Sequence, residues 1–169
     1  MMKCGLIVLT ILTTTMAACV PAAAPTSSTV VRFDAPSTVA AGSTFTVKVQ
    51  LDNVKELAGD EVYISFNPAI LEAQDADPAK SGVQVALGAF LKPDFVAQNL
   101  GEANRGKISF AVVQLPPNQP VSGSGILATV TFKAKMAGSS PLSFDVVNLA
   151  NTAGTPIDHA VQNGQILVK

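Results

Sequence analysis

Thr44-Phe45-Thr46-Val47-Lys48-Val49-Gln50-Leu51 is the stretch whose reading decides the fold. Phe45, Val47, Val49 and Leu51 alternate with Thr44, Thr46, Lys48 and Gln50. Successive side chains of a strand point to opposite sides of the pleat, so this period of two predicts a strand with one buried face. The same period recurs on either side. Val62, Ile64 and Phe66 alternate with Glu61, Tyr63 and Ser65; Ile108, Phe110 and Val112 with Lys107, Ser109 and Ala111; Val130, Phe132 and Ala134 with Thr129, Thr131 and Lys133; Leu142 and Phe144 with Ser143 and Asp145. Further strands are expected over Val30–Phe33, Val83–Ala86 and Gln165–Lys169. Turn signals fall between them at Ala41-Gly42-Ser43, Asn67-Pro68, Asn104-Arg105-Gly106, Ser122-Gly123-Ser124-Gly125, Ala137-Gly138 and Asn163-Gly164. No segment keeps a helical period over three turns; Pro68–Leu71 is expected to make one short turn, and Lys92–Leu100 fits neither period. Short strands between Gly- and Pro-rich turns indicate an all-β sandwich or barrel. Polar outward faces and aliphatic or Phe inward faces place the core between two sheets.

The N-terminal residues read as a leader. Met1-Met2-Lys3 precedes the apolar run Leu6–Leu12, and Met16-Ala17-Ala18-Cys19 follows. The run is far shorter than the roughly 20 residues of a permanent span, which predicts a signal peptide over residues 1–18. Met16-Ala17-Ala18-Cys19 resembles a lipobox, in which small residues precede a cysteine that is lipidated. Cys19 is then the lipidation site of an exported bacterial lipoprotein held in the membrane at the extracellular cell surface by its N-terminal lipid alone. The chain has two cysteines and Cys4 lies in the leader, so Cys19 retains no thiol with which to pair. The competing reading is an ordinary signal peptide cut at an Ala-x-Ala-like site, with Cys19 unmodified. Residues 19–28, made of Pro, Ala, Ser and Thr with one Val and Cys19, read as an extended tether. Residues 29–169 then form one domain, long enough for a core without disulfides.

Charge and residue chemistry narrow the function. Eleven basic and twelve acidic residues give a net charge of −1, with no basic cluster. Such a chain is a poor nucleic-acid binder, because phosphate neutralisation supplies most of that affinity. A zinc site needs three or four His, Cys or carboxylate ligands, and the only nitrogen and sulfur ligands after the leader are His159 and Cys19. Asp75-Ala76-Asp77 lacks the rest of a calcium loop and reads as a solvated turn. No Gly-x-Ser-x-Gly elbow is present, Ser124 reads as part of a flexible turn, and His159 as an exposed loop residue. No catalytic residue, metal or cofactor is therefore expected.

The order of the strands resembles a known family. Val31–Pro36 followed by Val39–Val47 is similar to the opening strands of cohesin domains. Asn53-Val54, Leu57-Ala58-Gly59, then Val62–Pro68 with Leu71-Glu72 is similar to the family's next strand, with Phe66-Asn67-Pro68 where "Tyr-Asp-Pro" is usual. Gly106–Ala111, Ser124–Ala134 and Gly164–Val168 resemble three later strands. The resemblance covers Val31–Lys169 and implies a jelly-roll sandwich of about nine strands that binds dockerin modules, often to assemble polysaccharide-degrading enzymes at cell surfaces. It also implies a partner face centred on the strand Glu61–Phe66 and its neighbours. The outward residues there are Glu61, Tyr63 and Ser65, with Ser109, Val113 and Leu115 on the adjoining strand. Two readings compete for Val113 and Leu115: surface residues of the partner site, or packing beneath the Pro116-Pro117 loop.

Two other functions stand beside dockerin binding. A carbohydrate-binding module is the second reading; its usual device is an exposed platform of aromatic rings, and a soluble-glycan site built on hydrogen bonds is the form that does without one. The chain has no Trp and a single Tyr; Phe90 and Phe95 are the rings with a route to the surface, and core or loop-anchoring roles are the favoured reading for both. A purely structural surface domain is the third reading.

Overall fold

The computed structural model describes residues 28–169. The expected leader at 1–18, Cys19 and all of the tether except Ser28 lie outside the described residues. Twelve strands follow one another: β1 (Val30–Asp34), β2 (Thr38–Val39), β3 (Thr44–Leu57), β4 (Gly59–Ser65), β5 (Leu71–Gln74), β6 (Ala86–Leu87), β7 (Phe95–Glu102), β8 (Lys107–Val113), β9 (Val121–Ala134), β10 (Gly138–Ala150), β11 (Ala160–Gln162) and β12 (Gly164–Val168). The only helical element among the described residues is the 3-10 turn Ala103–Arg105. Strands β2, β6 and β11 have two or three residues, which leaves nine principal strands.

They form two sheets. One runs β11-β1-β3-β9-β5, with β6 also pairing with β9; the other runs β2-β12-β10-β4-β8-β7. The two pack face to face as a jelly-roll sandwich. The alternation read from sequence is what fills the space between them. Val47, Val49 and Leu51 of β3 and Val130, Phe132 and Ala134 of β9 are buried on one side. Val62 and Ile64 of β4, Ile108, Phe110 and Val112 of β8, and Leu142 and Leu149 of β10 are buried on the other. Phe66 meets Phe132 edge to face with centroids 5.0 Å apart, and Phe33 of β1 stacks on Phe144 of β10 across the sandwich.

Several expectations are corrected. Ser122–Gly125 is not a turn but the first part of the 14-residue β9. Opposite it, β3 bends at Asn53 and Glu56, whose φ angles of 57° and 55° take them out of the ladder. The hydroxyls of Ser124 and Ser122 accept the backbone N–H groups of those two residues, at 3.0 and 2.9 Å. Serine therefore replaces backbone pairing where β3 bulges, and Gly125 makes room for Phe90, whose ring a Cβ there would strike at 2.2 Å. Phe90 is accordingly half-buried and packed against the core, in the anchoring role favoured for it from sequence. Lys92–Leu100 resolves into a loop and the edge strand β7, whose alternation is broken by a bulge between Val96 and Gln98. Pro68–Leu71 makes the expected turn, with Asn67 Oδ1 accepting the Ala69 N–H at 3.0 Å, and then enters β5. The expected strand Val83–Ala86 shrinks to a single bridge from Val83 to Gly101 and the two residues of β6.

One inward position of β4 is polar. Asp60 is buried and neither carboxylate oxygen has a hydrogen-bond partner. Desolvation therefore pushes its carboxyl up from 3.8 to about 8. The folded state keeps a proton there that the unfolded chain releases near pH 4. Stability is expected to fall as pH rises from about 4 to about 8, and Asp60→Asn should abolish that slope in denaturant titrations run across this range. In a second set of titrations, Phe132→Ala and Phe66→Ala should each cost about 3–5 kcal/mol. Thr131→Ala, on the outer side of β9, should cost about 0.5 kcal/mol or less. Equal losses would show that the register assigned to these strands is wrong.

Candidate partner-binding face

The outer side of the second sheet is where β4 places its odd-numbered residues. Because Val62 and Ile64 are drawn into the core, Gly59, Glu61, Tyr63 and Ser65 face away from it. The pairing of β10, β4, β8 and β7 sets these residues in four rows across four strands. They are Ala150–Gly59–Val113–Phe95, Asn148–Glu61–Ala111–Gln98, Val146–Tyr63–Ser109–Leu100, and Ser143–Ser65–Lys107–Glu102. The face grades from apolar at the first row to charged at the last. Bulges at Asp145 in β10 and at Ala97 in β7 keep the outer strands in phase with β4 and β8.

At the centre, the Tyr63 hydroxyl donates to Glu61 Oε1 at 2.9 Å and the Asn148 amide donates to Glu61 Oε2 at 2.7 Å. The Asn148 and Tyr63 hydrogen bonds hold the Glu61 carboxyl below its ordinary range, while Glu61 raises the Tyr63 phenol. Tyr63 and Glu61 are thus fixed in place as one unit. At the charged end, Lys107 Nζ meets Asp145 Oδ2 at 2.7 Å, spanning from β8 to β10 above Ser65. Ser65 donates to the other Asp145 oxygen at 3.0 Å. The Lys107 contact is the main reason the Asp145 carboxyl sits below its ordinary range. Ser109 accepts the Gln98 amide at 2.7 Å. Both serine hydroxyls are therefore engaged within the sheet. A hollow of about 330 Å³ lies here, bordered by Tyr63, Gln98, Leu100, Glu102, Lys107 and Asp145.

The apolar end continues past β8. Leu115 is 48% exposed and so does not lie beneath the Pro116-Pro117 loop; Phe95 is 58% exposed. Asp94 joins the two segments that carry them: its carboxylate accepts the Leu115 N–H at 2.8 Å and the Asn118 amide at 2.9 and 3.0 Å. Gln114 joins them again, accepting the Lys92 N–H at 3.0 Å and donating to the Gln119 carbonyl.

Glu61, Tyr63, Ser65, Ser109 and Val113 therefore share one face, with Leu115 at its end. Sequence reasoning missed Asn148, Asp145, Gln98 and Leu100 as part of that face, and favoured a core or loop-anchoring role over exposure for Phe95, which is in fact exposed. Bulges conceal the parity of Asn148, Gln98 and Leu100. Elsewhere, Asp75 Oδ1 accepts the N–H groups of Asp77 and Gln84, and Asp77 pairs with Lys80, as suits a closed turn. His159 Nδ1 lies 2.8 Å from the Ile157 carbonyl, in the segment before β11. The described residues contain no group of three or more His, Cys, Asp or Glu placed to hold a metal.

Comparison with known proteins gives concordant matches. Over 128 residues the chain is 29% identical to cellulose-binding protein A of Clostridium cellulovorans, which is 72% of this chain and only 6% of that much longer protein. A type II cohesin domain from the cellulosome of Acetivibrio cellulolyticus superposes with a TM-score of 0.69 at 21% identity, covering 84% of this chain and 95% of that one. The cohesin–dockerin complex described as a novel type I assembly from Clostridium thermocellum matches with a TM-score of 0.66 at 15% identity, over 83% of this chain and 92% of that one. These likenesses fix the fold. The family model for the cohesin domain matches residues 29–168, and the chain therefore belongs to the cohesin family of non-catalytic protein-interaction modules.

Proposed function

We propose that the four-row face of β10, β4, β8 and β7 binds a dockerin module, and that this binding attaches a partner, such as a polysaccharide-degrading enzyme, at the cell surface. The observation that carries the reading is the Tyr63–Glu61–Asn148 unit at the centre of a four-strand face whose apolar end is exposed. Tyr63 supplies apolar area with a polar tip, and Glu61 keeps further acceptor capacity for a donor on the partner. A locked central aromatic with exposed apolar neighbours is the composition of an interface hot spot. The dockerin complexes among the matched structures support the choice of partner. A glycan platform is less well supported, since Phe95 is the one ring among the exposed large apolar side chains of the described residues.

The test is titration of the domain, residues 29–169, against a panel of dockerin modules and of soluble oligosaccharides. At least one dockerin should bind, and Tyr63→Ala should weaken it by about 2 kcal/mol or more, roughly thirtyfold in Kd. Its melting temperature should stay within a degree or two. Thr46→Ala, on the other sheet, should change neither. Saturable glycan binding that survives Tyr63→Ala, with no dockerin bound, would overturn the reading.

The same proposal includes export and lipidation at Cys19. Several acyl chains are needed for firm anchoring, because one chain binds a membrane only marginally. The full chain should partition into detergent when expressed in a bacterium, and Cys19→Ser should leave it unprocessed or soluble. Mass spectrometry that finds an unlipidated mature N-terminus at another residue would refute the anchor.

A further inference from the structure

Beyond the first row, the end of the face holds a cavity of about 220 Å³, room for one side chain of leucine or phenylalanine size. Gly59 forms its floor, Val113 and Leu115 one wall with Pro116, and Ala150 and Gly154 the other. Small residues are what keep it open. A Cβ on Gly59 would already press on the Val112 carbonyl at 3.1 Å and on Val113 Cγ2 at 3.4 Å, and its cross-strand neighbour is Ala150. No charged side chain lines it. Its two amide side chains have their oxygens engaged elsewhere: Gln114 with the Lys92 N–H, Asn151 with the N–H groups of Ala153 and Thr155.

Both rims are fastened from behind. Asp94 holds the Leu115 rim through the Leu115 N–H and the Asn118 amide. On the other side, Asn151 closes its own loop through its side chain and through the Gly154 N–H, which reaches its carbonyl at 2.9 Å. A site held open in this way orders little when it is filled, so the gain from removing an apolar group from water is not offset by loop entropy.

From these features, and resting on the dockerin reading above, we infer that this cavity is a socket for one apolar side chain of the dockerin, and that it fixes the direction in which the dockerin lies. The charged row Ser143–Ser65–Lys107–Glu102 is six residues along β4 from Gly59, about 20 Å at roughly 3.3 Å per residue. One helix of about 13 residues spans that distance at about 1.5 Å per residue. A partner element seated with its apolar residue in the socket brings its polar groups over Lys107, Asp145 and Glu102. The reversed orientation sets polar groups against an uncharged cavity and leaves them unpaired there.

The experiment uses the dockerin that binds the wild-type domain most tightly in the panel described above. Ala150→Phe fills the socket from within, and Leu115→Asp places a charge on its rim. Each should raise Kd at least about tenfold, with Thr46→Ala unchanged. Leu115 is an exposed loop residue, so Leu115→Asp carries the test even if Ala150→Phe fails to fold. Single Ser substitutions of the dockerin's exposed apolar residues should identify one whose loss is not additive with Leu115→Ala. Wild-type affinity in both variants, with wild-type domain and dockerin still associating, would overturn the socket and leave the dockerin reading intact. Failure of the wild-type domain to bind any dockerin would overturn both.

Discussion

The pleat of β4 constrains everything the molecule presents to a partner. Its even positions must supply Val62 and Ile64 to the core opposite β3 and β9, and a slip of one residue would expose both. Once those positions are committed, Glu61, Tyr63 and Ser65 have nowhere to point but outward. β4 is flanked by β8 and β10, so its outward residues are extended into rows by neighbours under the same obligation. Core and face are two sides of one decision. Substitutions that loosen packing beneath β4 therefore act on the face without touching it.

Within that face, polar groups are already paired before any partner arrives. Glu61 has a donor on each oxygen, and Lys107, Asp145 and Ser65 form a closed set. Surface ion pairs of this kind add little to stability. What they do is reduce the number of side-chain arrangements the surface samples, and with it the entropy lost on association.

Much of this architecture was legible in the sequence because burial on one side imposes a period of two over at least five residues. β3, β4, β8 and the second half of β9 announced themselves that way, and the outward set Glu61, Tyr63, Ser65, Ser109 and Val113 came with them. What stayed hidden did so for physical reasons. β2, β6 and β11 are too short to show a period. Ser122–Gly125 has the composition of a turn, yet its serine hydroxyls complete the pairing of a bent β3. The bulge at Asp145 changes the parity of β10, so Asn148 faces outward where unbroken alternation from Leu142 would have turned it in. β7 follows Pro93 and contains a bulge of its own, which hid Gln98 and Leu100. The polar Asp60 among inward apolar residues was visible in sequence as an interruption, but its lack of a partner is a property of the packed state.

The placement of β1 has a consequence for how the domain is used. The chain enters the described fold through β1, which belongs to the sheet built around β3 and β9, while the four-row face lies on the outside of the opposite sheet. Thr29 is fastened at that point, its hydroxyl donating to the Asn53 carbonyl and its own carbonyl accepting the Ala160 N–H. The point at which the chain enters β1 and the four-row face thus belong to opposite sheets of a body two sheets thick, so a change at either one reaches the other only through the core between them.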